Sequence, residues 1–361
     1  METVAGLTEL SQIYHGKRVL LTGHTGFKGS WMLAWLKQLG ASVYGLSLAP
    51  DTHPALFDLL NGSEWCKHQL GDIRTYGTVL NAVQEAQPDF IFHFAAQPLV
   101  RLGYETPVYT YETNLMGTVH LLEAVRQSGR PCSVVLITTD KVYENLENGH
   151  CYQESDQLGG YDPYSASKAT CEIAISSYRR SYFNPNDYPK HRVAVASARA
   201  GNVIGGGDRS KDRIIPDTVA ALEQGTPVVI RNPLSVRPWQ HVLEPLAGYL
   251  QLGAALTKDP VRFATGYNFG PATEDVMNVR QVVETAISCW GSGSYETPSI
   301  TGQPHEAGLL QLNSRKAHEE LNWNPRWQSV DAVRVTIDWY RNAASDYRAF
   351  TLQQINDYIQ L

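Results

Sequence analysis

The segment "YDPYSASK" carries two side chains that could perform acid–base chemistry together. Tyr164 and Lys168 are four residues apart, so a helix would place them on one face, one turn apart. Pro163 is suited to the first turn of that helix. A free tyrosine has a pKa of about 10 and is a poor base at neutral pH, but a neighbouring ammonium favours the phenolate and lowers that pKa. The spacing predicts a tyrosine base assisted by a lysine, although such a pair also occurs by chance on ordinary helices.

A second reactive segment, "TTDKVYEN" at residues 138–145, follows the apolar run "CSVVLI". The run is predicted to be a buried strand, and polar residues after such a strand in an open α/β sheet face the ligand crevice. We therefore expect Thr138 or Thr139, together with Asp140 and Lys141, to lie at the edge of an active site. The alternative is that Asp140 and Lys141 form a solvated pair in a loop.

The element that would position a cofactor lies near the N-terminus. A short apolar strand at 18–22 is followed by three glycines with the spacing GxxGxxG and then by an amphipathic helix that runs to Gly40. Such glycines let the backbone approach a pyrophosphate at the helix N-terminus, where free N–H groups and the helix dipole favour negative charge. The alternative is a purely structural strand–helix turn. The cofactor contacts predicted here are Gly23, Thr25, Gly26, Phe27, Lys28 and Gly29.

The next strand, "SVYGLSL", lacks the acidic residue that would hold the adenosine ribose hydroxyls. It ends at Ser47 and Leu48, and the nearest carboxylate, Asp51, lies beyond Pro50. No arginine is present there either, which counts against a 2′-phosphate and favours NAD over NADP. We expect NAD to be bound without a strong ribose contact and to be exchangeable.

Two later strand ends complete the predicted cofactor site. Asp72 and Ile73 in "GDIR" follow a short strand, where the carboxylate could meet the adenine amino group; the alternative is an Asp that caps a helix or a turn. The strand of "PDFIFHFAAQP" ends in Ala95 and Ala96, whose small side chains leave room for the nicotinamide side of the cofactor. His93, inside that strand, is expected to be a core histidine rather than a catalyst.

Five segments between residue 22 and about residue 325 point to one family: "TGHTGFKGSW", "TTDKVY", "YSASK", "RPWQHVLEPL" and "PHEA". Together they resemble the nucleotide-sugar 4,6-dehydratases of the extended branch of the short-chain dehydrogenase/reductase superfamily. Lys141 and "RPWQHV" favour the branch that acts on CDP-glucose. The resemblance implies NAD-dependent conversion of CDP-D-glucose to CDP-4-keto-6-deoxy-D-glucose and water, in the biosynthesis of 3,6-dideoxyhexoses of bacterial surface polysaccharides such as O-antigen.

The resemblance also implies a mechanism. Tyr164 takes the proton of the C4 hydroxyl while hydride passes from C4 to NAD, and Lys168 also holds the nicotinamide ribose. Thr139, or alternatively Thr138, hydrogen-bonds the alcohol that is oxidised. A base then removes the C5 proton, protonated Asp140 releases the C6 hydroxyl as water, and hydride returns to C6.

The base for C5 cannot be assigned from the sequence. Dehydratases acting on deoxythymidine- and guanosine-linked sugars have a Glu where this chain has Lys141. A lysine serves as a base when desolvation or nearby positive charge lowers its pKa. The candidates are Lys141, Tyr164 acting twice, Glu144 and Glu154.

Four residues in the second half are expected to hold the nucleotide sugar. By resemblance, Asn202 meets the substrate phosphate, and Arg213 faces the base or a phosphate. Arg237 in "VRPWQHV" is expected to grip the diphosphate, because a guanidinium matches phosphate oxygens in a fork. His305 is expected to border the pocket, with helix capping or an ion pair as the alternative.

Composition excludes several classes of protein. Of 361 residues, 43% are apolar and 18% are charged, which argues against a disordered chain. The net charge of −6 and the absence of basic blocks argue against nucleic-acid binding. The five scattered cysteines lack metal-site spacing, so we expect no metal and a reducing, cytoplasmic location. We see no secretory signal and no apolar run long enough for a membrane span.

The predicted fold is α/β, a Rossmann-type doubly wound parallel sheet with a smaller C-terminal α/β substrate-binding domain. We place the NAD-binding domain at 1–190, with added segments at about 192–205 and 237–252, and the nucleotide-sugar domain mainly at 206–361. The resemblance implies a homodimer through helices of the cofactor domain. The alternatives to CDP-glucose dehydration are a nucleotide-sugar 4-epimerase, a dehydratase for another nucleotide-glucose, and a cofactor-sensing protein without turnover.

Overall fold

A parallel sheet of seven strands forms the centre of the computed structural model, which describes residues 7–298 and 309–361. The strands in chain order are β1 (Arg18–Thr22), β2 (Ser42–Ser47), β3 (Cys66–Leu70), β4 (Phe90–His93), β5 (Cys132–Ile137), β6 (Cys151–Tyr152), β7 (Val193–Ala200), β8 (Val203–Ile204), β9 (Val228–Val229), β10 (Val236–Arg237), β11 (Gln240–His241), β12 (Gly266–Phe269), β13 (Met277–Asn278), β14 (Tyr295–Glu296) and β15 (Gln311–Leu312). The order in the central sheet is β12-β7-β5-β4-β1-β2-β3, and every pairing in it is parallel. The strand order reverses between β1 and β4, which is where an open α/β sheet forms a ligand crevice.

Helices cover both faces of this sheet. They are α1 (Leu10–Tyr14), α2 (Phe27–Gln38), α3 (Leu56–Leu59), α4 (Tyr76–Ala86), α5 (Val100–Glu105), α6 (Pro107–Tyr111), α7 (Gly117–Ser128), α8 (Pro163–Ser181), α9 (Tyr188–His191), α10 (Ile214–Gln224), α11 (Leu243–Lys258), α12 (Pro260–Phe263), α13 (Val279–Trp290), α14 (Arg315–Leu321), α15 (Ser329–Asn342) and α16 (Tyr347–Gln360). Helices α4, α7 and α8 enclose one apolar core, while α1, α2 and α11 enclose the other. This confirms the doubly wound α/β class.

Helix α2 is buried on all sides, not only along the stripe expected from its sequence. Every residue from Gly29 to Leu36 is buried. The outer side is covered by α16, whose Tyr358 ring meets the ring of Trp35 edge-on at 5.9 Å. A helix that is apolar all round is buried all round, and here the cover comes from the opposite end of the chain.

The second half of the chain passes repeatedly between the sheet and a smaller region. Strand β7 lies in the predicted added segment 192–205, and α11, which begins in the segment 237–252, packs against β5 and β7. Strand β12, which was not predicted from the sequence, joins the edge of the sheet beside β7. Two-stranded pairs such as β10–β13 and β9–β14 build the smaller region. The domain boundaries given above remain a prediction.

Within the described ranges, no helix combines the length and the apolar character needed to span a membrane. The five cysteines all lie in these ranges and are free thiols. Three or more His, Cys, Asp or Glu side chains do not come together as a metal site anywhere in the described part of the chain.

Candidate active site

A cavity of about 1080 Å³ opens above the carboxyl ends of the central strands, between the sheet and the smaller region. Residues predicted from the sequence that line it are Gly23, Thr25, Gly26, Phe27, Lys28, Gly29, Asp72, Ile73, Ala95, Ala96, Thr138, Thr139, Lys141, Tyr164, Lys168, Asn202, Arg213 and Arg237. Asp140 does not line it. His305 lies outside the described residues, as does the segment "PHEA".

The glycine loop has the shape that a pyrophosphate needs. Gly23 has φ +74, a backbone conformation that residues with a side chain rarely adopt. A Cβ placed on Gly29 would lie only 2.0 Å from the carbonyl oxygen of Gly23, so only glycine permits this approach of helix and strand. Helix α2 begins at Phe27 with its first N–H groups at the cavity. These residues fit the diphosphate of a dinucleotide.

Hydroxyl groups stand at the end of β2, where an acidic residue was absent from the sequence. Ser47 donates to the hydroxyl of Thr25 at 2.7 Å, and Thr25 donates to the carbonyl of Leu48 at 2.9 Å. At the end of β3, both oxygens of Asp72 accept hydrogen bonds from Arg74, which holds the pKa of Asp72 below its usual value. Asp72 therefore stabilises the turn that follows β3. Its contact with adenine remains a prediction.

Helix α8 presents Tyr164 and Lys168 to the cavity. The side chain of Asp162 accepts the backbone N–H of Ser165 at 3.0 Å, and Pro163 occupies the first helical position. Lys168 donates to the carbonyl of Ile137 at 3.1 Å, which ties the helix to the end of β5.

The expected lowering of the tyrosine pKa by Lys168 is wrong for the protein on its own. Burial raises the pKa of Tyr164, and a hydrogen bond with Thr139 opposes this without overcoming it. Burial also lowers the pKa of Lys168, which weakens its ammonium as a partner. Desolvation disfavours both the phenolate of Tyr164 and the ammonium of Lys168. The spacing of these two residues in the sequence does not show how deeply they are buried.

The end of β5 brings the reactive side chains together. The phenol of Tyr164 is within hydrogen-bonding reach of the hydroxyl of Thr139, which donates to Oδ1 of Asp140 at 2.8 Å. Lys141 Nζ lies 3.3 Å from the same Oδ1 and 3.4 Å from Oδ1 of Asn202. Asp140 is 0% exposed, so Thr139 and Lys141 separate it from the cavity. The two segments that the sequence singled out therefore meet in one network.

Thr138 points the other way, into a buried ion pair. Its hydroxyl donates to Glu172 at 2.5 Å, and Ser197 donates to the second oxygen at 2.7 Å. Arg199 Nη2 lies 2.9 Å from Glu172, and both side chains are buried. Thr139, not Thr138, is therefore the hydroxyl next to Tyr164.

Positive charge is concentrated around the buried Asp140. Burial and the charge of Arg213 lower the pKa of Lys28 to about 7, while the negative charge of Asp140 acts in the opposite direction. Lys168 and Lys141 also lower the pKa of Lys28. Four cations thus face this part of the cavity, which suits an anionic ligand.

The possible bases for C5 are separated by their positions. Lys141 and Glu144 line the cavity together with Tyr164. Glu154 does not line it and instead accepts the backbone N–H of Asn268 at 2.8 Å. Its position speaks against a role in proton abstraction.

Three paired charged residues, Asp212, Arg231 and Arg101, are among the cavity residues that were not predicted from the sequence. Asp212, in the loop before α10, lies 2.6 Å from Arg231, in the loop after β9, and 3.7 Å from Arg101 of α5. These ion pairs connect the three elements at the cavity. The three are isolated charged residues far apart in the chain, and no spacing in the sequence marks them. Arg213, which was predicted, is held by the buried Asp208 at 2.9 Å.

The sequence is similar to a known protein family and to a curated relative over almost its whole length. The sequence model described as GDP-mannose 4,6 dehydratase matches residues 20–336. The CDP-glucose 4,6-dehydratase of Salmonella typhimurium strain LT2 is 45% identical over 348 residues, which cover 96% of this chain and 97% of the relative.

Solved structures share the fold. The dTDP-glucose 4,6-dehydratase DesIV of Streptomyces venezuelae, crystallised with NAD, has a TM-score of 0.76 and 24% identity, covering 91% of this chain and 98% of its own. The UDP-glucose 4-epimerase of Thermus thermophilus, in complex with NAD, has a TM-score of 0.73 and 25% identity, covering 91% and 100%. The extent of the sequence match, beyond the fold alone, decides the family: the chain belongs to the GDP-mannose 4,6 dehydratase family of the extended short-chain dehydrogenases/reductases.

Proposed function

We propose that this enzyme catalyses the NAD-dependent 4,6-dehydration of CDP-glucose to CDP-4-keto-6-deoxy-glucose and water. The observation that carries the proposal is a cluster at one cavity edge, in which Thr139 and Lys141 bond Asp140 and Tyr164 is within reach of Thr139. An oxidation alone needs only the hydroxyl, the tyrosine and the lysine of α8. The added acid and amine supply the proton transfers that elimination requires, and the 45% identity to a CDP-glucose 4,6-dehydratase supports the substrate. The product fits the entry to 3,6-dideoxyhexoses of surface polysaccharides.

The residues of the glycine loop, with Ala95 and Ala96, would hold NAD across the switch point of the sheet. NAD supplies the acceptor and later the donor of a hydride, together with a positively charged ring in its oxidised form. Because hydroxyls, not a carboxylate, end β2, we propose that NAD is held weakly at the adenosine ribose. Added NAD should then stimulate the purified enzyme, and a preparation already saturated with cofactor would contradict this.

In the oxidation step, Tyr164 accepts the proton of the C4 hydroxyl. Its phenol must lose its own proton first, and burial opposes that loss. The hydrogen bond with Thr139 and the positive charge of Arg213 work against the effect of burial on the pKa of Tyr164. Thr139, within hydrogen-bond reach of Tyr164, orients the alcohol.

In the elimination step, Asp140 is proposed to be the general acid. Its Oδ1 is bonded to Thr139 and Lys141, and these two side chains connect the buried carboxyl to the cavity. We propose Lys141 as the C5 base, because it lines the cavity together with Tyr164 and its Nζ lies beside Asp140 and Asn202. Glu144 is the alternative that the cavity lining supports.

Arg213, Arg237 and Asn202 are proposed to bind the diphosphate, since they line the cavity on the side of the smaller region. His305 remains a prediction outside the described residues. The role of Arg237 can be tested by the KM for the substrate, because a group that binds ground and transition states equally changes KM without changing kcat.

The decisive experiment incubates the protein with NAD and a panel of nucleotide-glucoses and reads the products by mass. Loss of one water from CDP-glucose supports the proposal, and loss from another nucleotide-glucose alone would reassign the base. An unchanged formula with altered sugar stereochemistry would instead indicate the epimerase. Tyr164→Phe should abolish hydride transfer, and Asp140→Asn should let bound NADH accumulate; near-normal turnover of either variant would remove that residue from its role.

We also propose a cytoplasmic homodimer formed through helices of the cofactor domain. Large apolar side chains are exposed on the face built by α6, the turn before α7, and α8: Val108, Met116 and Ile173. Exposed apolar groups of this kind mark protein–protein contacts. Sedimentation of the wild type and of Ile173→Glu tests this, since the charged variant should be monomeric.

A further inference from the structure

Tyr249 on α11 is a buried tyrosine that takes no part in the proposed mechanism. It is 0% exposed, and its hydroxyl has no hydrogen-bond partner within the described ranges. The ring lies edge-on to Phe269 at 5.5 Å and to Phe94 at 5.8 Å. Leaving a buried polar group without a partner is destabilising, so a phenylalanine would satisfy a purely structural need better.

Asp140 has a buried acceptor atom that lacks a hydrogen-bond donor. Its Oδ1 is bonded by Thr139 and Lys141, but its Oδ2 is buried and has no partner among the described residues. A phenol can donate one hydrogen bond, and a carboxylate oxygen can only accept.

The two unsatisfied groups lie on neighbouring elements of the fold. Burial raises the pKa of Tyr249 most strongly, followed by the negative charge of Asp140 and then the charge of Tyr164. The hydroxyl of Tyr249 is therefore within electrostatic range of Asp140 and of Tyr164. Helix α11 packs against β5, and Asp140 follows the end of that strand. The charged and titratable groups that face Asp140 are its neighbour Lys141, Lys28 at the start of α2, Tyr164 of α8 and Tyr249 of α11.

We propose that Tyr249 is a positioning residue for Asp140, donating its phenolic hydrogen to one enclosed water that donates in turn to Oδ2. This rests on the general-acid role of Asp140 in the proposed function. The bond fixes the orientation of the carboxyl, so that Oδ1 stays directed at Thr139 and Lys141, which connect it to the cavity. It also stabilises the carboxylate that remains once the proton has been given to the departing water.

The test is Tyr249→Phe, assayed with CDP-glucose and NAD in single-turnover and steady-state experiments. We expect unchanged or higher thermal stability, an unchanged KM, and a kcat lowered about 10- to 100-fold, the factor for losing a hydrogen bond to a charged group. Reduced cofactor should accumulate, because elimination slows while C4 oxidation does not. Equal kcat without accumulation would overturn the proposal, as would oxidation and elimination slowed to the same degree.

Tyr14→Phe is the matched control. Tyr14 is equally buried, and its hydroxyl donates to the carbonyl of Leu250 on the same helix as Tyr249 at 2.7 Å. This variant should lose stability and keep both kcat and the partition between oxidation and elimination. Tyr249→Phe should lower kcat without loss of stability, whereas Tyr14→Phe should lower stability without loss of kcat. This contrast distinguishes a positioning role from a packing role.

A second measurement compares Tyr249→Phe in the wild type and in Asp140→Asn. If Tyr249 acts through Asp140, the phenylalanine adds little to the asparagine variant, whereas an equal further loss overturns the proposal. Failure of the proposed function looks different, because the wild type itself would then not release water from CDP-glucose.

Discussion

Replacing Arg199 by methionine should destabilise the fold much more than loss of one hydrogen bond. Arg199 and Glu172 are 7% and 4% exposed, and their side chains lie 2.9 Å apart. The substitution removes the only cation among the three groups that bond Glu172 in the described structure and leaves the hydroxyls of Thr138 and Ser197. An uncompensated buried charge of this kind costs about 3–5 kcal/mol, a large part of the stability of a typical domain.

The pH dependence gives the sign of the effect. In the wild type, burial raises the pKa of Glu172, but Arg199 and the hydrogen bonds outweigh it, so the net pKa is lowered. Stability from this group is therefore present above the unfolded pKa of about 4.3 and is lost as pH falls through the folded value. In Arg199→Met burial is opposed by the hydroxyls and by the charges of Lys168 and Arg179, which bond backbone carbonyls and not Glu172. The destabilisation should therefore be largest near pH 8 and smaller near pH 5.

Urea denaturation of four proteins measures this: the wild type, Arg199→Met, Glu172→Gln and the double variant. The double variant should recover most of the loss, because a neutral amide oxygen still accepts from the two hydroxyls. Arg126→Met, which breaks an exposed pair with Glu123, should cost less than about 1 kcal/mol. A loss below about 1 kcal/mol for Arg199→Met, or the same loss when it is introduced into Glu172→Gln, would refute the reasoning.

Three further predictions concern the cofactor loop, the C-terminal packing and the cavity rim. In Gly29→Ala the new Cβ would lie 2.0 Å from the Gly23 carbonyl oxygen, so the loop must move, and NAD affinity measured by calorimetry should fall at least about tenfold; unchanged affinity would contradict the assigned loop geometry. Burial raises the pKa of Glu244 to about 7, so stability is lost as pH rises from the unfolded pKa of about 4.3 to that value, by about 4 kcal/mol. Glu244→Gln should flatten this dependence in urea titrations at pH 5 and 8.5. Asp212→Asn removes a negative charge beside Arg231 in the cavity that is to hold an anionic ligand, so KM for the nucleotide sugar should fall several-fold at low salt with kcat unchanged; a raised KM would show that the acid itself binds substrate.

The sequence predicted the parts of the site that are contiguous in the chain. The glycine loop and the Tyr164–Lys168 pair can be recognised because a local spacing and a local element suffice to place them. The cavity residues Asp212 and Arg231 and the buried Tyr249 could not be found this way, since only tertiary packing brings them to the cavity or to Asp140.

Local reasoning also failed where burial decides the chemistry. The spacing of Tyr164 and Lys168 suggested an acidic phenol, but desolvation, which depends on the whole fold, raises the pKa of the phenol. The all-round burial of α2 has the same origin, because α16 lies more than three hundred residues further along the chain. Strand β12 is only four residues long and carries no pattern that separates it from a loop.

Because β12 is the edge strand beside β7, the edge of β7 stays uncovered during synthesis until β12 has been made. Until residues Gly266–Phe269 have left the exit tunnel, β7 presents a row of unpaired backbone groups along one side. A nascent chain or proteolytic fragment that stops short of this strand therefore carries an uncovered border, open to pairing with another chain. Ribosome stalling before residue 266 should accordingly yield products that need a chaperone to remain dispersed.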